Sequence, residues 1–216
     1  VADDSLTSLQ REVLAIFFAL PESTGYLLAG GAALIATGLS TRPTDDLDLF
    51  GSDLTRGVGD AADALEGASI DRGWSIERVR DTTTFRRLVI RTGSDELVVD
   101  LAVDSPPLGP PTITTLGPAF APVELAARKL LALFDRAAAR DFVDAHTLSA
   151  QLDLDEVLQQ AAELDGGFDL AVFTEMLSTL DRYTDEDIET HGAHPAAVRA
   201  FTTVWRQVLT AKLDRT

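Results

Sequence analysis

Tyr26-Leu27-Leu28-Ala29-Gly30-Gly31, Ala32-Ala33-Leu34-Ile35-Ala36-Thr37-Gly38-Leu39, Ser40-Thr41-Arg42-Pro43-Thr44 and Asp45-Asp46-Leu47-Asp48-Leu49-Phe50 follow one another without a break. This stretch decides the fold. It reads as a short apolar strand, a glycine pair, one short helix, a loop, and a second strand carrying alternate carboxylates. Residues two apart on a strand share a face, so Asp46 and Asp48 are expected side by side while Leu47 and Leu49 enter a core. Two carboxylates on one sheet face repel each other and resist burial unless a cation neutralises them. Hard oxygen donors at that spacing suit Mg²⁺, which takes one or two carboxylates together with substrate phosphates.

Gly30 and Gly31 stand between strand and helix, where the missing Cβ atoms let backbone N–H groups approach a phosphate. The N-terminus of the next helix adds partial positive charge at the same place. A phosphate cradle leading into a metal-binding Asp-x-Asp strand is the front end expected of a nucleotidyltransferase site. Gly-Gly and Asp-x-Asp each occur in ordinary turns and strand edges. Their order, spacing and apolar flanks give the pair its specificity.

The 216 residues hold one large domain or two small ones, and 45% hydrophobic with 25% charged content is that of a soluble globular chain. No apolar run approaches the ~20 residues that cross a bilayer. The acidic start Val1-Ala2-Asp3-Asp4 is unlike a secretory leader. Cytoplasmic residence and no membrane partner are expected. The absence of cysteine excludes disulfides, thiolate metal sites and thiol catalysis. A net charge of −17 argues against a nucleic-acid coat protein but leaves room for a local basic patch. Lys129 and Lys212 are the only lysines among 18 basic residues, a bias that, with abundant alanine, suggests a GC-rich bacterial source.

Outward from the central stretch, residues 5 to 19 read as a helix with Leu6, Leu9, Val13, Leu14, Phe17 and Phe18 as its stripe, capped by Asp4 or Ser5 and stopped by Pro21. Asp53 to Ile70 reads as a helix burying Val58, Ala62, Leu65 and Ala68. Strands are expected over 74–80, 85–91 and 96–103, with Gly93-Ser94 turning the last two. In the third, Leu97, Val99, Leu101 and Val103 face one way. Asp100 faces the other, a lone carboxylate in a buried-looking run. Such a charge costs several kcal/mol unless paired or metal-bound. It is either solvated at a frayed strand end or the third carboxylate of a triad with Asp46 and Asp48, placed to activate an attacking hydroxyl.

Six of the nine prolines fall between Ser105 and Pro122, which reads as a connector after which no strand signal remains. Helices are expected over 123–134, 138–152, 155–164, 168–180 and 195–213. The first two carry Lys129, Arg136, Arg140, Asp141 and Asp144. On residues alone, Lys129 snorkels over a core among helix-surface ion pairs, or points into a cleft.

The string Leu28-Ala29-Gly30-Gly31 … Arg42-Pro43-Thr44-Asp45-Asp46-Leu47-Asp48-Leu49-Phe50, then Leu125-Ala126-Ala127-Arg128-Lys129-Leu130-Leu131-Ala132-Leu133 and Arg140-Asp141-Phe142-Val143-Asp144, resembles the AbiEii family. These are nucleotidyltransferase toxins of type IV toxin–antitoxin systems, in the DNA polymerase β-like superfamily. The resemblance covers roughly residues 20 to 150 and implies an α/β (α+β) protein of two lobes. Residues 1–116 would form a polymerase β-like nucleotidyltransferase core with a mixed sheet, and 117–216 a C-terminal α-helical bundle, with NTP and Mg²⁺ between them. By the resemblance, Gly30 and Gly31 grip phosphates, Asp46 and Asp48 hold metal, and Lys129 neutralises triphosphate charge. Arg140 and Asp141 reach the nucleotide, with Asp141 preferred over Asp144 as the site residue. The placement of Asp100 as third metal carboxylate, which would allow a two-ion site, comes from the residue pattern. The superfamily's common Gly-Ser is Gly-Gly here, so a serine contact is missing, and Ala32 stands where the family often has Thr.

The expected reaction is in-line transfer of NMP from NTP, with pyrophosphate leaving and Asp100 orienting or deprotonating the acceptor. The resemblance makes RNA, the 3′ end of tRNA, the leading acceptor, and a cognate antitoxin the expected partner. Arg78, Arg80, Arg86, Arg87 and Arg91 offer a docking strip, with Arg78 and Arg80 on one strand face, or else an edge strand paired with carboxylates. Rivals are a nucleotidyltransferase acting on a protein or antibiotic, and a binding protein of this fold without turnover. His191-x-x-His194 reads as a loop rather than half a metal site, and Asp185-Glu186-Asp187 as a solvated helix start.

Overall fold

The computed structural model describes residues 5–53 and 55–215, in two units that meet at Pro122/Val123. In the first unit α1 (Ser8–Ala19) opens on Thr7, whose hydroxyl accepts from the Gln10 N–H while Gln10 Oε1 accepts from the Thr7 N–H. This reciprocal cap replaces the one expected at Asp4 or Ser5; Asp4 lies outside the described residues. A 3₁₀ turn at Pro21–Ser23 ends the helix and leads to β1 (Leu27–Ala29), α2 (Gly30–Ala36) and β2 (Asp46–Gly51). Next come α3 (Gly59–Ile70), β3 (Ser75–Asp81), β4 (Phe85–Thr92) and β5 (Asp95–Val103). The helix expected from Asp53 starts at Gly59 and buries Ser69 where Ala68 was expected.

The proline-rich connector is not structureless. Its β6 (Thr112–Thr114) and β7 (Gly117–Ala119) form a hairpin, and β7 pairs parallel to β1 through Leu28 and Ala119. The division after Pro122, rather than at residue 116, keeps this hairpin whole. The sheet runs β3-β4-β5-β2-β1-β7-β6, mixed, with β2 parallel to β5. On one face Leu47, Leu49, Leu88, Ile90, Val99 and Leu101 are fully excluded from solvent, the apolar half of the alternation. Phe17 of α1 is fully buried, edge-on to Phe18 at 5.3 Å and Tyr26 at 5.4 Å between ring centroids.

The second unit is helical among its described residues. It comprises α4 from Pro122 to Arg136, α5 (Ala139–Ser149), α6 (Leu154–Leu164), α7 (Leu170–Met176), α8 (Asp185–Glu189) and α9 (Pro195–Leu213). Asp153, Asp169 and Thr184 cap α6, α7 and α8 through side-chain oxygens. The helix expected to run to residue 180 ends at Met176, and Leu177–Arg182 tighten into a 3₁₀ turn. Phe142, Phe173, Val198 and Leu209 form the dry interior. Among the described residues no helix is long and apolar enough to cross a membrane.

Truncating Phe17 to alanine removes a fully buried ring and is expected to cost about 3–5 kcal/mol, read as a lowered urea midpoint of the full chain.

Candidate functional site

The face of the sheet opposite the leucines carries the candidate chemistry. Parallel pairing sets Asp48 of β2 directly beside Asp100 of β5, and Asp46 lies two residues back on the same face. Antiparallel pairing of β4 with β5 sets Arg87 on the other side of Asp100. One row therefore reads Asp48, Asp100, Arg87 across three strands, with Asp46 adjoining it.

Asp46 and Asp48 are half-buried, and Asp100 is 6% exposed. Asp46 Oδ1 accepts from Thr44 Oγ1 at 2.9 Å, and the Thr44 carbonyl accepts from buried Gln10 Nε2 at 2.7 Å. The glycine pair makes room for this. Gly30 has φ +60°, and a Cβ there would overlap Asp48 Oδ2; a Cβ on Gly31 would lie 2.6 Å from Thr44 Oγ1. Both glycines are dictated first by the carboxylate strand and its leading loop.

Asp100 is not solvated at a frayed end. Its oxygens accept from Arg87 Nε at 2.7 Å and Nη2 at 2.6 Å, a two-pronged clamp. The Asp100 hydrogen bond holds the Arg87 guanidinium above its ordinary pKa against the opposing effect of burial, with the charges of Asp100, Asp46 and Asp48 adding to it. Where three metal carboxylates were expected, no three His, Cys, Asp or Glu side chains group to hold a metal among the described residues, and Asp100 is held by the Arg87 guanidinium. The donor set that fits Mg²⁺ is the pair Asp46 and Asp48, oxygen donors alternating on one strand face.

The arginine strip resolves into ion pairs. Arg78 reaches Glu66 at 2.6 Å and Asp63 at 2.8 Å, Arg86 is buried against Asp81 at 2.7 Å, and Arg91 joins Glu96 and Glu77. A bulge between Arg78 and Arg80 places the first opposite Leu88 and the second opposite Arg87. They therefore lie on opposite faces, contrary to the alternation expected from sequence. Arg80 stands over the Phe85 ring at 5.1 Å, on the carboxylate side.

In the helical unit Lys129 Nζ pairs with Asp144 at 2.9 Å, the carboxylate 1% exposed, beside a mostly apolar cleft that includes Leu130, Leu148 and Trp205. Asp141, expected at the nucleotide, is fully buried. Its two oxygens accept from Arg136 Nε and Nη2 at 2.8 Å each, and one also accepts from the Ala138 N–H at 3.2 Å. It closes the corner between α4 and α5, where Ala137 takes φ 47° and its carbonyl accepts from Tyr183 Oη at 3.0 Å. Asp141 is a fold determinant; Arg140 next to it is exposed. His194 precedes the first turn of α9, and His146 packs edge-on against Phe201.

Arg87, Thr44 and Gln10 carry site functions that sequence reading did not assign. For Arg87 the signal was present: the tight turn at Gly93-Ser94 pairs Thr92 with Asp95, and stepping back evenly reaches Arg87 and Asp100.

A family profile described as nucleotidyl transferase AbiEii toxin, type IV TA system, matches residues 12–205. No curated protein sequence matches significantly. Among solved structures, JHP933 from Helicobacter pylori aligns at TM-score 0.62 and 17% identity, covering 98% of this chain and 96% of that one. An H. pylori protein described as a candidate nucleotidyltransferase aligns at 0.63 and 19%, covering 96% of each. MenT4, a nucleotidyltransferase toxin from Mycobacterium tuberculosis, aligns at 0.55 and 18%, over 93% of this chain and 88% of its own. At these identities the structures show a shared fold.

Gly30→Ala is expected to lower stability more than Gly38→Ala in chemical denaturation. Both glycines have positive φ, costing alanine about 1–2 kcal/mol, but only the Gly30 Cβ meets a neighbour, Asp48; Gly38 has open space.

Proposed function

The chain belongs to the AbiEii family of nucleotidyltransferase toxins from type IV toxin–antitoxin systems, and from this premise we propose a Mg²⁺-dependent transfer of NMP from an NTP to an acceptor hydroxyl, with the 3′ end of RNA, in particular tRNA, as acceptor. The observation that carries the reading is Asp46 and Asp48 alternating on one face of β2, with Gly30 opened beneath Asp48. The acceptor oxygen attacks the α-phosphorus in line, the bond from that phosphorus to the bridging oxygen breaks, and pyrophosphate leaves. The acceptor proton passes to a carboxylate of the same row. Bound at Asp46 and Asp48, Mg²⁺ would offset charge on the triphosphate.

Thr44 and Gln10 hold Asp46 in place by hydrogen bonds, so the donor pair is preorganised rather than recruited. Gly30 and Gly31 leave backbone within reach of a phosphate. The assignments of Lys129 and Arg140 to the nucleotide rest on the family resemblance, as does an antitoxin partner. The RNA acceptor rests there too, because the β3–β4 arginines are largely engaged by carboxylates. Arg80, Arg87 and Arg91 are the arginines of those strands on the carboxylate face, and Arg91 is paired with Glu77 and Glu96.

Incubating the protein with each α-labelled NTP and total cellular RNA, with aminoglycosides as rival acceptors, tests the reading. Label should appear on RNA, fall by about 10²-fold or more with Asp46→Ala, and fall with Lys129→Ala through a raised KM. Equal labelling by all three proteins would remove these residues from the chemistry.

A further inference from the structure

We infer that Arg87 is a built-in cation standing where a second divalent ion would otherwise sit, so that the centre takes one metal ion, at Asp46 and Asp48, and Asp100 is the residue that positions Arg87. The inference rests on the metal-dependent reading above and deepens it.

Asp100 is all but excluded from water, and a buried carboxylate must be compensated. The compensation here is specific. Both Asp100 oxygens face Nε and Nη2 of one guanidinium, in line with the β4–β5 register, so neither strand distorts to make the pair. The Arg87 side chain remains 44% exposed, and Nη1 has no partner among the described residues. A planar fork clamped on two donors with a third left over is a fixed donor for an anion. That donor lies two strands from Asp48, on the same face across Asp100, and would meet a phosphate oxygen of the nucleotide. Phe85 supports it from its own strand, 5.9 Å from the guanidinium carbon to the ring centroid. Arg87 excludes a second ion directly, since the Asp100 oxygens that ion would need are taken.

Mn²⁺ binding to the full-length protein, followed by electron paramagnetic resonance, tests this without turnover. Sites are counted as the difference from an Asp46→Asn/Asp48→Asn double variant, which subtracts weak binding elsewhere on the acidic surface. The wild type should bind one Mn²⁺ with an uncoupled six-line spectrum. Arg87→Gln should gain a second ion, giving the spin-coupled spectrum of a pair about 4 Å apart, and should bind its first ion about tenfold tighter. Arg87→Lys, which keeps the charge, should retain the single site. A coupled pair in the wild type, or Arg87→Gln that binds one ion with wild-type affinity, overturns the inference. Should Asp46→Asn alone leave Mn²⁺ binding untouched, the metal assignment to Asp46 and Asp48 fails instead.

Discussion

The parallel ladder between β2 and β5 forces two carboxylates, Asp48 and Asp100, into adjacent positions on one sheet face. Like charges at neighbouring strand positions oppose pairing, so this ladder survives only with compensation on both sides of it. On the far face the same strands present Leu47, Leu49, Val99 and Leu101, all fully buried, and their burial drives the strands together. On the near face Arg87 cancels one of the charges through a clamp that the β4–β5 hairpin delivers in register. Fold and site are in this sense one electrostatic problem, and the order β4-β5-β2 is its solution.

Asp46, next on the same face, is steadied from outside the sheet. Gln10 caps α1 with its carbonyl oxygen and, with its amide nitrogen, holds the Thr44 carbonyl; the Thr44 hydroxyl then holds Asp46. A single buried side chain thereby joins the first helix to the carboxylate-bearing strand. An amide serves well here because it offers a donor and an acceptor at once.

Much of this was legible in the chain. Alternation placed Asp46 and Asp48 on one face and Asp100 on the corresponding face of β5, and helix periodicity found α1, α4, α6 and α9 within a few residues. What escaped had physical causes. The β6–β7 hairpin is short and proline-bearing, so its local signal is that of a loop, and only pairing with β1 makes it sheet. The bulge after Arg78 reverses the facing of Arg80, which no two-residue periodicity can anticipate. Arg87 looked like one of several surface arginines because its partner lies thirteen residues on, across a turn. Asp141 reads as a nucleotide-site residue through the family resemblance; its pairing with Arg136 beside the left-handed Ala137, which braces a corner, has no periodic signal.

Gly30 invites a different way of reading a motif. Its left-handed backbone and empty side are occupied, in effect, by the carboxylate of a residue eighteen positions later. The glycine is thus a mould whose casting is Asp48. A smaller residue at 48 would relieve the clash but not the left-handed backbone of Gly30, whereas a side chain at 30 would push the acid off its strand position. The two positions are sterically one, since the space that either side chain could take is already filled by the other.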